Sequence, residues 1–238
     1  YNTMYVYGAI GQHLTASLIS DRAKAYGWFY TEKRLAQYEK AIASGKYIWG
    51  FDCVNVIKSV LWGWNGDKSK SYGGAVYGSN GVSDVNADGC ISICKNVKSY
   101  YGSNDNVNPW DDIQIGEAVW TNGHIGIYVG EGLAIECTPK WDNKVQITGV
   151  GNKPFNKTYD GKKRTWKKHG KLPWITYLSE CPWTSTGGSS VPSEFKGKTY
   201  NANISTYYPT ATSTDTTSKS GAKKILTDLN MGKGLTKD

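Results

Sequence analysis

Five cysteines and three histidines are the residues of this chain best suited to covalent chemistry or metal binding. The cysteines, at positions 53, 90, 94, 137 and 181, form no CxxC pair, so neither a zinc-finger module nor a disulfide framework is expected. Because their number is odd, at least one thiol has no disulfide partner within the chain. A free thiol near an imidazole is a candidate nucleophile with its base.

Cys53 is the strongest candidate nucleophile because of its place in the chain. It follows Asp52 at the start of a segment, VNVIKSVLWGW, whose apolar residues recur at helical spacing. Asp52 is therefore predicted to be the N-cap, and the positive end of the helix dipole is predicted to lower the pKa of the Cys53 thiol. The alternative is an inert buried thiol, although Cys53 lies off the strongest apolar stripe of its helix.

The clearest hairpin of the sequence begins at His124, where HIGIYVG is followed closely by LAIECT. A three-residue loop places Val129 opposite Leu133 and Gly126 opposite Glu136. His124 and Glu136 are then diagonal neighbours, roughly 7–8 Å apart at Cα. The same register puts the apolar residues of the hairpin on one face and Glu136 on the other, which avoids burying an unpaired carboxylate.

Cys53, His124 and Glu136 together have the residue types of a nucleophile, a base and a polar residue that orients the base. The helix supplies the first residue and the hairpin supplies the other two. This set is the predicted catalytic triad.

The secondary-structure elements that position these residues are predicted to be helices in the first part of the sequence and strands in the second part. Helical patterns cover 20–44, the segment that begins at Cys53, and 88–100. A short extended segment covers 47–51. From residue 115 onward, apolar and polar residues alternate with the period of two that is typical of a strand. Strands are expected at 117–120, in the hairpin, at 145–148 and at 174–177. Helices followed by antiparallel strands indicate the α+β class.

Several pieces of the sequence, in this order, resemble NlpC/P60 cysteine peptidases: YVYG at 5–8, FDC at 51–53, GEAVWTNGHIGIYVGEG at 116–132 and AIECTP at 134–139. The segment WKKHGKLPWITY at 166–177 is similar to phage and prophage cell-wall hydrolases of that family. The resemblance spans residues 1–177 and implies a papain-like α+β fold, with the nucleophile helix packed on an antiparallel β-sheet. It also implies hydrolysis of amide bonds in peptidoglycan stem peptides, without a cofactor.

The family's nucleophile falls on Cys53, its base on His124 and its third polar residue on Glu136. Its conserved tyrosine falls on Tyr5, which is a candidate substrate-binding residue together with Asp52. Many members have Asp-Cys-Ser-Gly at the nucleophile, where this chain has Asp-Cys-Val-Asn. The serine that helps to bind the amino end of the stem peptide is absent, so the resemblance does not identify which bond is cleaved.

The aromatic composition favours tyrosine and tryptophan: 17 Tyr and 10 Trp stand against 4 Phe. Aromatic rings with a polar group suit partly solvated grooves that bind saccharides or glycopeptides, and they equally suit an aromatic-rich core. Trp120 and Trp141 flank the expected cleft. They are candidate substrate-binding residues, with core packing as the alternative.

No metal site is expected. The sequence DVNADG at 84–89 matches the first half of an EF-hand loop, but Lys95 stands where the bidentate glutamate is needed. Asp88 is predicted to cap a helix instead. His13, in a stretch that looks irregular, and His169, among lysines, are predicted to be structural or exposed.

The net charge of +8 comes mainly from one segment. Residues 151–175 carry eight Lys or Arg and a single acid, Asp160. We call these eight residues the basic stripe: Lys153, Lys157, Lys162, Lys163, Arg164, Lys167, Lys168 and Lys171. A stripe of this kind is either a solvated loop or a contact for anionic cell-wall polymers. No nucleic-acid-binding signature accompanies it, and no apolar run is long enough for membrane insertion.

The predicted catalytic domain covers 1–183, and a Ser/Thr/Gly-rich linker with a short C-terminal segment covers 184–238. The sequence starts at Tyr1 with no leader pattern, and both a removed signal and a cropped start stay open as explanations. An enzyme that acts on bacterial peptidoglycan is expected to be extracellular or delivered to the cell wall by a phage. Two other functions fit the same residues: a transglutaminase-like acyltransferase, and a non-catalytic wall-binding module with an inert Cys53.

Overall fold

The structure, a computed structural model, describes residues 1–100 and 110–177. The first range contains helices α1 (Ala16–Ala25), α2 (Glu32–Ala43), α3 (Cys53–Leu61) and α4 (Ala87–Ile93), and a 3₁₀ turn at Ser79–Gly81. The helical pattern predicted over 20–44 forms two helices, and they are interrupted around Gly27, the position in the pattern that favours a break. The predicted domain boundary after residue 183 lies outside the described residues, as does all of 184–238.

Helix α4 is shorter than the sequence pattern indicated. It ends at Ile93, and the second half of the predicted helix 88–100 is a strand, β4 (Lys95–Ser99). The N-cap is Asn86, whose side chain accepts a hydrogen bond from Gly89 N at 2.7 Å. The prediction that Asp88 caps this helix is therefore wrong, and its carboxylate instead accepts a hydrogen bond from Trp120.

The N-terminal region forms a small three-stranded sheet from β1 (Thr3–Tyr5), β2 (Ile10–His13) and β3 (Trp49–Phe51). β3 lies in the middle, parallel to β1 and antiparallel to β2. The expectation of an irregular stretch around His13 is wrong. His13 ends β2, and its ring stacks on Tyr47 with 3.7 Å between the centroids.

A second sheet of seven strands follows. It contains β4 together with β5 (Ala118–Thr121), β6 (His124–Gly130), β7 (Leu133–Thr138), β8 (Lys144–Val150), β9 (Lys163–Arg164) and β10 (Lys168–Lys171). The spatial order is β4-β10-β5-β6-β7-β8-β9, antiparallel except for the last pair. Residues 174–177, which the structure describes, are not a strand, so that prediction is wrong, and the last strand before them is β10.

The register of the β6–β7 hairpin decides the geometry of the site. Gly126 pairs with Glu136, as predicted. The loop differs in one detail, because Leu133 pairs with Gly130 rather than with Val129, across an irregularity in the ladder. This shift is confined to the loop end, so the residues that matter for chemistry keep the expected faces.

Both faces of the large sheet are covered. On one face Ile125 and Cys137 pack in the main core with residues of α3 and the small sheet. On the other face Trp166 and Val119 belong to a second, smaller cluster. The face that carries Glu136 is therefore covered as well, and Glu136 is completely buried.

The architecture is α+β, as predicted: helices α3 and α4 pack against an antiparallel-rich sheet. Its central strands are rich in Val and Ile, which suit a pleated and largely buried surface. Among residues 1–100 and 110–177, no helix is long and apolar enough to cross a membrane.

Candidate active site

Cys53 is the first residue of α3, and its side chain is buried. Burial and the neighbouring Asp52 carboxylate raise the pKa of the Cys53 thiol to about 12, although the backbone N–H groups of Ile125 and Val54 face the sulfur and act in the opposite direction. The predicted lowering by the helix N-terminus is thus outweighed. A Cys53 thiolate at neutral pH requires a cation beside it.

Asp52 caps α3, as predicted. Its Oδ1 accepts a hydrogen bond from Asn55 N at 2.7 Å, and its Oδ2 accepts from Asn55 Nδ2 at 2.7 Å and from Gly8 N at 3.0 Å. Burial raises the pKa of this carboxyl to about 6, against those hydrogen bonds and the charge of Lys58. Because both oxygens are engaged within the protein, the structure gives Asp52 a supporting role, and a direct contact with substrate stays a prediction.

His124 and Glu136 are in direct contact, with Nε2 of the ring 2.6 Å from Oε2 of the carboxylate. The predicted juxtaposition is confirmed. A carboxylate only accepts hydrogen bonds, so Nε2 carries the hydrogen, and in the neutral ring Nδ1 is the acceptor. His124 adjoins Ile125, whose amide faces the Cys53 sulfur. The hairpin therefore brings the His–Glu pair to the start of α3.

Arg164 and Thr148 complete the surroundings of Glu136, and neither of them was predicted as a site residue from the sequence. Arg164 Nη2 lies 2.7 Å from Oε2, Arg164 Nε lies 2.9 Å from Oε1, and the Thr148 hydroxyl donates to Oε1 at 2.7 Å. Burial raises the pKa of Glu136, but hydrogen bonds from His124 and Arg164 outweigh it and hold that pKa below its ordinary value.

One signal in the sequence pointed toward Arg164. It stands two residues before Trp166, so the two side chains share a face if the segment is a strand. Arg164 is also one of the eight charged residues of the basic stripe, and in such a charged run the alternation of side chains between two faces of a strand is hard to recognise. The stripe is in fact partly built into the fold, since Lys162 is also buried and pairs with Asp142 at 2.7 Å.

Two tryptophans line the His–Glu–Arg cluster. The His124 ring stacks on Trp166 at 5.7 Å with an interplanar angle of 12°. The Arg164 guanidinium lies 5.4 Å from the Trp166 ring centre and 5.1 Å from that of Trp141. Trp141, a predicted substrate-binding residue, is thus connected to the cluster through Arg164.

Trp120 lies on β5 directly opposite Ile125, the residue whose amide faces Cys53. Its Nε1 donates a hydrogen bond to Asp88 Oδ1 at 2.8 Å, and Lys168 lies over its ring at 5.1 Å. Trp120 is half-buried next to the strand that contains His124, and its role as a substrate-binding residue at the cleft stays a prediction. Its indole orientation is fixed by the carboxylate that was expected to cap a helix.

Tyr5 is buried at the end of β1, paired with Phe51 two residues before the nucleophile. Burial and the nearby Cys53 and Asp52 raise the pKa of its phenol. The half-buried Tyr7, which was not among the predicted site residues, has its pKa raised by burial and by the same two groups. Binding of substrate by Tyr5 stays a prediction, and Tyr7 is the more accessible of the two rings.

The remaining candidates play no part in this cluster. The carboxylate of Asp84 is bound by Lys58 and Tyr77, while Asn86 caps α4. In the described part of the chain, no group of three or more His, Cys, Asp or Glu side chains is placed to hold a metal ion. His169 is buried and lies 2.6 Å from Glu117, so it is structural rather than exposed among like charges.

No protein-family model matches this chain, and no curated protein matches it significantly. The chemistry of the site therefore follows from its own geometry. A thiol at a helix N-terminus, together with a histidine–carboxylate pair on the strands that pack against that helix, has the groups needed for acyl transfer through a covalent thioester.

Proposed function

We propose that the protein is a cysteine hydrolase that cleaves amide bonds of peptidoglycan stem peptides, with Cys53, His124 and Glu136 as its catalytic triad. The observation that carries this proposal is the 2.6 Å contact between His124 Nε2 and Glu136 Oε2, next to the Ile125 amide that faces the Cys53 sulfur. The ordered motifs resemble NlpC/P60 peptidases of phage type, and this resemblance supplies the substrate class and a papain-like fold.

The raised pKa of the Cys53 thiol defines what His124 must do. At neutral pH the thiol keeps its proton unless Nδ1 of His124 accepts it and remains beside it as an imidazolium. Glu136 stabilises that imidazolium from Nε2. Cys53 and His124 are therefore active as an ion pair, and neither group is a competent catalyst without the other.

The proposed reaction has two steps. The Cys53 thiolate attacks the amide carbonyl, the C–N bond breaks, and His124 gives its proton to the leaving amine. Water then attacks the thioester while His124 takes a proton from it, the C–S bond breaks, and a carboxylate product leaves. A backbone N–H near Cys53 would stabilise the oxyanion of both tetrahedral intermediates.

The substrate groove is assigned to the aromatic side chains around this centre. Trp120 stands on one side and Trp141 on the other, and Tyr7 approaches along the segment that Gly8 ties to Asp52. Flat rings with polar atoms suit a glycopeptide, which presents both apolar faces and amides. The enzyme would act outside the cell that makes it, or be delivered to the wall by a phage.

The test is digestion of purified bacterial peptidoglycan, with the released fragments identified by mass spectrometry. Wild-type protein should release fragments whose new amino and carboxyl ends identify one cleaved stem-peptide bond, and Cys53→Ala protein should release none. Products that appear only when an amine acceptor is added would indicate an acyltransferase instead. Wall binding without any new chain ends, and slow alkylation of Cys53 by iodoacetamide near neutral pH, would indicate a non-catalytic binding module.

A further inference from the structure

We propose that Arg164 is a positioning residue that supplies a permanent positive charge to Glu136, so that His124 can give up and regain a proton without leaving a bare carboxylate in the core. This inference rests on the proposed function of the triad. It concerns a residue outside the resemblance to the family's nucleophile, base and third polar residue. Three observations support it: the hydrogen bonds of Glu136, its burial, and the charges around it.

The carboxylate of Glu136 is held from three strands at once. His124 contacts Oε2 at 2.6 Å from β6, and Thr148 donates to Oε1 at 2.7 Å from β8. Arg164 on β9 contacts both oxygens, with Nε 2.9 Å from Oε1 and Nη2 2.7 Å from Oε2. A two-point contact of this kind fixes the plane of the carboxylate as well as its position.

Burial makes the charge of Arg164 necessary. The side chain of Glu136 is 0% exposed, and that of Arg164 is 16% exposed. An ionised carboxylate in such a place is unstable without a counter-ion. If His124 were the sole cation beside it, Glu136 would stabilise the imidazolium strongly, and transfer of the Nδ1 proton to a leaving amine would leave an uncompensated buried charge.

The other ionisable groups near the pair do not supply this charge. The nearby thiols, carboxyl and phenol are either neutral or negatively charged, never positive. They are Cys53 and Asp52 at the start of α3, Cys137 beside Glu136 on β7, and Tyr5 on β1. His124 and Arg164 are the cationic partners of Glu136 in the described part of the chain, and Arg164 is the one that keeps its positive charge at every pH of interest.

Arg164 is itself held rigidly. Its guanidinium lies between the rings of Trp141 and Trp166, at 5.1 and 5.4 Å from their centres. His124 stacks on the same Trp166 ring, so the imidazole and the guanidinium share one aromatic support. A lysine keeps the charge but has neither the planar fork nor the stacking surface, so it is expected to replace only part of the function.

The test compares Arg164→Gln, Arg164→Lys and wild type, with Lys163→Gln as the matched control. Lys163 is the exposed neighbour on the same strand, so its substitution removes the same charge without touching Glu136. The first readout is the titration of the His124 ring followed by NMR, and the second is the pH dependence of hydrolysis. The NMR titration needs no substrate.

We expect the His124 imidazolium of Arg164→Gln to persist to higher pH by about one unit, because the carboxylate has lost its competing cation. The turnover rate should fall by about tenfold or more. The alkaline limb of the pH–rate profile should shift in the same direction as the titration of the His124 ring. Arg164→Lys should keep the wild-type titration with a smaller loss of turnover, and Lys163→Gln should behave as wild type. A His124 titration in Arg164→Gln that matches wild type would overturn the proposal and leave Arg164 a purely structural role.

A double variant keeps the test decisive if Arg164→Gln does not fold. Glu136→Gln with Arg164→Gln removes both buried charges and is expected to fold better than the single Arg164 variant. Adding Arg164→Gln to Glu136→Gln should move the His124 titration much less than Arg164→Gln alone does, since the carboxylate through which Arg164 mainly acts is gone and only the direct repulsion between the two cations is removed. A shift of the same size in this background would overturn the proposal. A chain that shows the predicted titrations but no hydrolysis would refute the proposed function and leave the role of Arg164 intact.

Discussion

Two histidine–glutamate pairs of almost equal geometry lie within residues 1–100 and 110–177, and only one of them lies at the proposed active site. His124 and Glu136 are 2.6 Å apart, as are His169 and Glu117. Both pairs involve residues of the large sheet or its immediate borders, and in both pairs the carboxylate is buried. The contact between imidazole and carboxylate therefore does not by itself define a catalytic site.

The two pairs differ in what surrounds them. The His124 side chain is 14% exposed and adjoins the residue whose amide faces the Cys53 thiol. The His169 side chain is 2% exposed and lies 4.8 Å from the ring of Trp110, between centroids. Access and a nearby thiol thus distinguish the pair proposed for proton transfer from the pair that is buried within the sheet.

The largest expected effect is on Cys53. Cys53→Ala should lower peptidoglycan hydrolysis by more than about a thousandfold, because the covalent step is lost. The melting temperature should change by no more than about 3 °C, since the side chain is small. Activity is measured by release of new amino ends from purified walls, and folding by thermal unfolding.

The matched control is Cys94→Ala, which removes a half-buried thiol that contacts Cys90 O at 3.2 Å. It should keep nearly full activity. Substantial hydrolysis by Cys53→Ala would contradict the thiol mechanism, whatever the control does.

The second effect separates the two histidines. His124→Gln should abolish hydrolysis and make Cys53 alkylate slowly near neutral pH, because burial raises the pKa of the thiol and no imidazolium is then present to stabilise the thiolate. His169→Gln should keep activity per folded molecule but cost about 2 kcal/mol of stability through the weakened bond to Glu117. That corresponds to a fall in melting temperature of roughly 4–8 °C.

Both variants are to be followed by the same two measurements, iodoacetamide kinetics at Cys53 and thermal unfolding. The distinction between the pairs fails if His169→Gln slows alkylation as much as His124→Gln does. It also fails if Cys53 of the His124 variant reacts at the wild-type rate.

The third effect concerns pH. Glu136→Gln should keep partial activity, reduced by about ten- to a hundredfold, with an alkaline limb at lower pH because the imidazolium has lost its carboxylate. The pKa of Glu136 is below its ordinary value of 4.5, so its ionised form stabilises the native state above that pH. This contribution disappears as the pH falls through the lowered value.

The stability difference between wild type and Glu136→Gln should therefore be largest near neutral pH and shrink in strong acid, which urea unfolding at several pH values can measure. Glu117→Gln is the control, because it alters the other pair without touching His124. An alkaline limb that does not move in Glu136→Gln would reduce the triad to a Cys–His dyad.

The relative positions of the candidate site residues could be predicted from the sequence more fully than the order and bounds of the strands. Short-range rules placed Cys53 at a helix start and set Gly126 opposite Glu136, because both depend on local spacing and on the period of a strand. The burial of Glu136 was not predictable in this way, since it depends on Trp166 and Arg164, which arrive from a later part of the chain. A face that looks polar in one hairpin can be covered by a distant strand.

The errors in secondary structure have a similar cause. Strand β10 was missed because lysines flank His169, and a run of charged residues is typical of a loop. The strand exists because His169 faces Glu117 within the sheet, while the lysines around it point outward or lie over aromatic rings. Tertiary pairing decided the conformation there, against the local composition.

The smallest expected effect concerns the basic stripe. Four of its lysines, at 153, 157, 163 and 167, are exposed or half-buried, whereas Lys162 is buried against Asp142. If the accessible lysines contact anionic wall polymers, their joint replacement by glutamine should weaken wall binding by about fivefold at low salt. The effect should vanish above about 0.3 M salt, where the Debye length is only a few ångström.

The matched control removes the same charge from another surface, at Lys24, Lys33, Lys40 and Lys46, which are exposed in or near α1 and α2. Binding to whole walls is measured by co-sedimentation, and activity by cleavage of a small soluble stem peptide. The stripe variant should lose binding while keeping small-peptide activity, because the accessible lysines contact neither Cys53 nor His124. Equal losses in the two quadruple variants would indicate a simple dependence on net charge. A loss of small-peptide activity would instead mean that these lysines shape the groove, in which case the stripe belongs to the active site rather than to a separate wall contact.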